Sequence, residues 1–365
     1  MFRAPMGGLF RHVLDLAGAQ AAAGHAVGLV CDVGGGARAE AAIERIRPSL
    51  SLGTFRIPMP REPGPTDALA LLRITKIFAA AKADIVHGHG AKGGFYGRLA
   101  PVGLRRVGRI YTPHGGSAHY GANTLAGKLY TRVERLLMRR TSVFTFESDY
   151  VASRFEAMLG DAPHDAVVVR NGLEAHEFVP VADGPEAADV LYLGELRTLK
   201  GVDTLLDALT LLRARLPWEP SAVLVGAGPD EAEFRALAQR LGLREVSFKA
   251  PMPARDAFRL GRVMVVPSRA ESLPYVVIEA AAAARPLVAT AVGGIPEIMG
   301  PFATRLVRPD DPPALADAIA ALLSKSEAQR QAEAEDLARH VASAFSIDAM
   351  AGGIEAAYRK ALARI

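Results

Sequence analysis

Short uninterrupted apolar runs alternate with amphipathic stretches along the chain. "AVGLVCD" (26–32), "ADIVHGHG" (83–90), "RIYTPHG" (109–115), "SVFTFES" (142–148) and "AVVVRNG" (166–172) each end in polar residues or glycine. Runs of this kind predict strands buried on both faces, as in a parallel sheet covered by helices. Helical patterns such as "GLFRHVLDLAGAQAAAG" (8–24) and "LAGKLYTRVERLLMRR" (125–140) lie between them. The alternation predicts an α/β architecture. Only "MFRAP" precedes the first helix, so either the first strand is very short or the natural start lies upstream.

The rhythm breaks at "HEFVPVADGPEAAD" (176–189), rich in Pro, Gly and acidic residues, which reads as a linker. A second series follows, with strands at "DVLYLGEL", "SAVLVGAGP", "EVSFKAP", "VMVVPSR" and "PLVATAVGG" and helices between them. The expectation is two doubly wound, Rossmann-like parallel-sheet domains, residues 1–178 and 186–346, facing across a cleft. In such sheets ligands bind outside the carboxyl ends of the strands. The amphipathic stretch 347–365 is expected to form a helix packed across the two domains.

A chain of 365 residues suits two cores of ordinary size. No run approaches a membrane-spanning length, and the N-terminus lacks an apolar signal segment, which points to a cytoplasmic protein. The single Cys31 excludes an internal disulfide and a cysteine metal cluster, and it reads as a small buried hydrophobe. The net charge of +4 is unevenly spread. Residues 1–180 carry 22 Lys+Arg against 15 Asp+Glu (+7), and residues 181–365 carry 21 against 24 (−3). A basic first half suits an anionic partner, such as a phosphate or an anionic membrane surface. Without a helix-turn-helix, zinc-finger or aromatic-basic signature, nucleic acid is not expected as a partner.

Candidate chemistry concentrates in the second half. In "LYLGELRTLKGVDTLLDAL" (191–209), Arg197 and Lys200 stand just before a helix N-terminus, where cations and free N–H groups together suit a diphosphate. "GAGP" (226–229) is a glycine turn after a strand, weak alone because it lacks the full dinucleotide fingerprint. In "ESLPYVVIEAAAAARP" (271–286), Ser272 is placed to cap the helix and Pro274 to enter its first turn. Glu279 then lies two turns in, and a carboxylate on an otherwise apolar helix suits the cis-diol of a ribose or sugar. Salt bridging or capping would also account for either glutamate alone.

The combination of "ELRTLKG", "VGAGPDEAEFRALAQRLGL", "VVPSRAESLPYVVIEAAAAARPLVATAVGGIPE" and "VVRNGLEAHEF" resembles the family 4 retaining glycosyltransferases of the two-domain GT-B fold. The spacing Glu271-x7-Glu279 matches that family's signature. "FRAPMGGLFRHV" and "YTPHGGSAHY" resemble bacterial members that build exopolysaccharide or lipid-linked glycans. The resemblance implies metal-independent transfer, with retention, of a sugar from a UDP- or GDP-sugar donor to a glycan or lipid-linked acceptor. It implies that Lys200 holds the donor diphosphate, Glu279 the ribose, and Glu271 the sugar hydroxyls with backbone N–H groups at Ser272 and Leu273. Gly7 and Gly8 fall in the family's first glycine loop, and His114 matches the histidine facing the transferred sugar. No cofactor and no metal are implied. One departure is Glu195, where the family commonly has arginine, so that Arg197 supplies the guanidinium.

Two other readings share the motifs: a nucleotide-sugar epimerase of the same fold, and a non-catalytic sugar-nucleotide binding protein. For the acceptor side, "GKLYTRVERLLMRR" places Leu129, Val133, Leu136 and Leu137 on one helix face, with Arg132, Arg135, Arg139 and Arg140 around it. Lys92, Arg98, Arg105, Arg106 and Arg109 add positive charge nearby. Such a helix suits peripheral contact with the anionic cytoplasmic face of the inner membrane. In "HGHGAKGG", His87 and His89 are expected on opposite sides of their strand without further partners, so no metal is expected there.

Overall fold

In the computed structural model, residues 1–101, 106–115, 125–160 and 165–365 are described, and they divide into two units. The first comprises residues 1–172 and 347–365, the second residues 173–346.

The first unit carries the strands β1 (Gly28–Cys31), β2 (Gly53–Arg56), β3 (Ile85–His89), β4 (Gly108–Thr112), β5 (Val143–Phe146) and β6 (Ala166–Val168). β1 pairs with β2, and β3 through β6 run in chain order, all parallel. Residues 1–3 take the place of a strand between the two sets. The Phe2 amide donates to the Val30 carbonyl at 3.1 Å, the Asp32 amide to Arg3 at 3.2 Å, and the His89 amide to Met1 at 2.8 Å. These three residues thus bond to β1 and β3 as a strand would. A cavity of about 570 Å³ lies beside these residues, walled by Met1, Leu29, Val30, Ile85 and Val86.

The helix Leu125–Met138 is pinned to this unit through a buried charge pair. Arg98 forks onto both oxygens of Glu134, at 2.7 and 3.0 Å, and its guanidinium lies 3.8 Å from the centre of the Tyr111 ring. Leu137 is buried, whereas Leu136 is 66% exposed. The expected single apolar face is thus split: Leu136 joins the arginines at the surface, and the inward face carries a glutamate. The Leu129 side chain and Arg105 lie outside the described residues. Cys31 is buried, as its small apolar character predicts.

The helix Ile347–Leu362, expected to pack across the domains, belongs to the first unit. Met350 and Ile354 pack with Leu16 and Val169, and Ala357 and Ala361 with Ile110 and Val143. Its apolar stripe closes that sheet's core, which is why it returns there.

The second unit holds β7 (Ala188–Leu193), β8 (Ala222–Val225), β9 (Val246–Lys249), β10 (Gly261–Val266) and β11 (Leu287–Ala289). Their order is β11-β10-β7-β8-β9, all parallel, so the winding reverses between β7 and β10. Apolar clusters fill both faces, one under Leu191, Met264 and Ile278, the other under Val190, Leu205 and Val265. The segment 176–189 is strapped down rather than loose. The Val181 amide donates to Ala283 at 3.0 Å, and buried Arg285 donates to the Val181 carbonyl at 2.7 Å. Proline and glycine here shape a fixed path whose carbonyls buried side chains satisfy. Among the described residues, no helix is long and apolar enough to cross a membrane.

Candidate functional site

The reversal between β7 and β10 puts two loops side by side: 194–201 after β7 and 267–274 after β10. This is where a doubly wound sheet offers a ligand crevice. Lys200 ends a short 3₁₀ turn, Thr198–Lys200, and the helix Val202–Arg215 follows. Its ammonium donates to Glu271 Oε1 at 2.7 Å, and Ser268 Oγ donates to the same oxygen at 2.7 Å. Glu271 is 9% exposed, so its charge is compensated by a cation and a hydroxyl close to solvent. Arg197 is exposed on the same turn.

The lysine turn is held from two directions. Asp230, following the 226–229 glycine turn, accepts the Thr198 amide and hydroxyl, both at 2.6 Å. Those two donors hold Asp230 below the usual carboxylate range. From the other side, Arg269 forks onto both oxygens of Asp203 at 2.7 Å and also donates to the Thr198 carbonyl. Burial pulls Asp203 upward, but the Arg269 donors outweigh it and hold the carboxyl low. The sequence reading missed Arg269, Asp203, Asp230 and Ser268. The signal available was a cation and acids flanking each loop motif.

Glu195 is exposed, and its carbonyl accepts the Tyr192 hydroxyl at 2.7 Å. It thus helps to shape the loop through its backbone. Burial first, then the nearby Glu271 and Glu195, raise the Tyr192 hydroxyl well above its ordinary value.

The helix carrying Glu279 spans Tyr275–Ala282, with Pro274 at its N-cap and no side-chain cap bond. Ser272 therefore does not cap it; the Ser272 carbonyl instead accepts the Gly294 amide at 2.7 Å. Glu279 is the fifth helical residue, half-buried, little more than one turn in rather than two. Leu273 is buried and Ser272 half-buried. Gly293 packs against the backbone of Glu271 at φ +60°, and a Cβ there would come within 2.0 Å of the Glu271 carbonyl. Only glycine fits this approach.

In the first unit, Gly7 and Gly8 open the helix Gly7–Ala22, both exposed, with Gly7 at φ +70°. His114 follows β4 at φ +53°, an unusual backbone for a residue with a Cβ. His89 Nδ1 lies 3.1 Å from His114 Nε2, and His12 Nδ1 lies 3.0 Å from Asn171 Oδ1. The rings of His87 and His89 stack with centroids 3.9 Å apart. The expectation that they point to opposite sides is corrected: residues two apart on a strand share a face. His12, His89 and His114 also bring three ring nitrogens within 4.8 Å of one another, so the expectation that the pair lacks partners fails too. Burial lowers His12 to about 4 and holds His87, His89 and His114 well below the ordinary histidine value. His114 is thus joined by His12, His89 and Asn171, which the sequence reading left out.

Comparison with known proteins matches residues 6–177 to the model for Glycosyltransferase Family 4 and residues 187–325 to that for Glycosyl transferases group 1. The chain is 30% identical over 264 residues to the putative glycosyltransferase EpsD of Bacillus subtilis, covering 67% of this chain and 68% of that protein. It is 35% identical over 198 residues to the D-inositol 3-phosphate glycosyltransferase of Corynebacterium urealyticum. That match covers 48% of this chain and 46% of the relative, so the chain spans about half the relative's length. Among solved structures, Anabaena Alr3699/HepE in complex with UDP and glucose aligns with TM-score 0.78 at 19% identity, over 97% of this chain and 98% of that one. This likeness shows a shared fold, the two-domain GT-B architecture of parallel-sheet units.

Proposed function

Because this chain belongs to the family 4 glycosyltransferases, we propose that it transfers a sugar, with retention, from a UDP- or GDP-sugar to a glycan or lipid-linked acceptor. The observation that carries this reading is the Lys200–Glu271 pair at the β7/β10 switch point. A cation beside a helix N-terminus suits a diphosphate, and the carboxylate it neutralises suits sugar hydroxyls. The HepE structure holding UDP and glucose on the same fold supports such a donor.

In this reading Lys200 and Arg197 take the charge that builds on the departing nucleoside diphosphate, which lowers the barrier more than it aids ground-state binding. In this reading the two cations do what a bridging metal does elsewhere, so the transfer needs no metal at the phosphates. Glu279 accepts the ribose hydroxyls. Glu271 accepts sugar hydroxyls, with the backbone at Ser272 and Leu273 alongside. Gly7 and Gly8 leave room for phosphate or acceptor, and His114 faces the transferred sugar. Exposed Leu136, flanked by Arg132, Arg139 and Arg140, supports peripheral contact with an anionic membrane that presents the acceptor.

The test is thermal stabilisation by a panel of UDP- and GDP-sugars, followed by assay of the best ligand with candidate acceptors. Saturation at 100 times the dissociation constant adds ~2.7 kcal/mol, a visible shift. Free nucleoside diphosphate together with a product of unchanged anomeric configuration is the expected outcome. A changed sugar still attached to its nucleotide would make the protein an epimerase. Binding without release under every acceptor would leave a sugar-nucleotide binding protein.

A further inference from the structure

The second unit has a cavity of its own where the edge strand β11 begins, at the opposite end of the parallel sheet from the loops 194–201 and 267–274. It measures about 280 Å³, and the helices Pro312–Leu323 and Glu327–Ala344 help to wall it. Leu287, Met299, Leu322 and Leu337 make it apolar, while Arg285, Arg305, Lys325, Arg330 and Glu333 bring charge to it. We propose that this cavity binds a small phosphate monoester with a short hydrocarbon body, at a site separate from the β7/β10 crevice.

Unmatched donors come first. Arg285 is 2% exposed, and its terminal nitrogens are engaged with the Val181 carbonyl at 2.7 Å, the Gly261 carbonyl and Asp183. Its Nε is buried without a hydrogen-bond partner among the described residues. A buried donor is rarely left unmatched in a folded protein, and an acceptor carried by a ligand would match this one. Strand alternation adds a backbone donor. The Met264 amide donates to the Pro286 carbonyl and the Thr290 amide to Val266, so residues 286, 288 and 290 bond toward β10. The amide of Leu287, which lines the cavity, therefore faces away from β10.

The charges of the lining do not balance. Lys325 donates to both oxygens of Glu333, at 2.6 and 2.8 Å, and Arg285 is paired with Asp183. Arg330 donates to the Lys325 carbonyl at 2.6 Å, and the Arg305 guanidinium lies 4.6 Å from the centre of the Phe302 ring. Neither of these two arginines meets a carboxylate among the described residues. Two uncompensated guanidinium groups suit a phosphate monoester, close to a dianion at neutral pH, better than a carboxylate. The apolar walls call for hydrocarbon on the same molecule. Because the volume is near the lower limit of small-molecule sites, roughly 300 Å³, that hydrocarbon is short.

The test is titration of the full chain with hexyl phosphate, followed by phosphorus NMR and by NMR of labelled methionine methyl groups. One molecule should bind per chain, with a dissociation constant of about 1 mM or tighter for a ligand of this size. The methyl signal of Met299, in the cavity wall, should shift, whereas that of Met252, elsewhere in the unit, should not. Hexanol, inorganic phosphate and hexanoate should each bind at least about tenfold more weakly, because each lacks the hydrocarbon or the full charge. Arg305→Gln and Arg330→Gln should each weaken hexyl phosphate about tenfold, and so should Arg285→Lys, which keeps the charge but loses Nε. Arg240→Gln and Arg244→Gln, at exposed positions, should leave binding unchanged. Phosphatidate vesicles compete if the natural ester is a membrane lipid and do not if it is a soluble one; both results keep the site. Absence of binding, binding that leaves Met299 unmoved, or undiminished affinity in Arg305→Gln and Arg330→Gln overturns the proposal. If Arg285→Lys fails to fold, exposed Arg305 and half-buried Arg330 decide the matter.

Discussion

Replacing Lys200 by alanine tests the donor assignment and separates two jobs that one ammonium performs. At 2.7 Å from Glu271 Oε1, with an effective dielectric constant near 20, the pair attracts by ~6 kcal/mol before desolvation is counted. The lysine is 26% exposed and Ser268 continues to donate, so the net loss of stability in Lys200→Ala should be only about 1–3 kcal/mol. Loss of a fixed donor to the diphosphate should lower turnover by ~10²–10³. Glu271→Gln in the same chain removes the orphaned charge. The double variant Lys200→Ala/Glu271→Gln should therefore regain most of the stability while its affinity for the free nucleoside diphosphate stays low. Trp218, the single tryptophan, lies in the second unit, so its fluorescence during urea unfolding reports the relevant core. Nucleotide affinity is read by titration calorimetry. Wild-type affinity in Lys200→Ala, or its return in the double variant, would show that the lysine only neutralises Glu271, and the diphosphate assignment would fall.

Glu279→Ala should weaken nucleoside diphosphate binding by ~1–3 kcal/mol, the scale of losing a good acceptor; equal affinity for ribo- and 2′-deoxyribonucleotides in the wild type would argue against a diol there. Gly293→Ala should cost about 1–3 kcal/mol, because φ +60° and the 2.0 Å approach to the Glu271 carbonyl both oppose a Cβ, and donor affinity should fall with it. Stability of the first unit should drop as pH falls from about 6.5 toward 4. The unfolded chain protonates its histidines near 6.5, whereas folded His12 resists to about 4, a difference of roughly 3 kcal/mol for that residue; a flat urea midpoint across this window would contradict its burial as a neutral ring. Changing Arg132, Arg139 and Arg140 to glutamine should release the protein from anionic vesicles in sedimentation, with little effect on folding, since all three are exposed.

What the sequence shows well is what local patterning controls. Apolar runs ending in polar residues or glycine mark most of the strands because a strand buried on both faces has no room for polar alternation. The spacing of Glu271 and Glu279 is legible because one loop and one helix carry both. The Arg269–Asp203 and Asp230–Thr198 clamps escape notice because their partners lie 66 and 32 residues apart. The histidine group needs two strands and a helix to assemble, although the shared face of His87 and His89 could have been read from strand geometry. The helix Leu125–Met138 misleads for another reason: Glu134 is buried because Arg98, 36 residues away, reaches it. A proline-rich stretch reads as a linker until the buried Arg285 that grips its backbone is seen.

The discontinuous first unit has a consequence for biosynthesis. Its sheet is seamed on one side by residues 347–362, so Leu16, Ile110, Val143 and Val169 stay uncovered on a ribosome until those residues have emerged. The second unit needs only residues 173–346, and its entry and exit meet where the Leu173 amide donates to the Phe345 carbonyl at 2.8 Å. The half translated first is thus the half sealed last. During that interval its apolar seam is the surface most open to aggregation or chaperone capture.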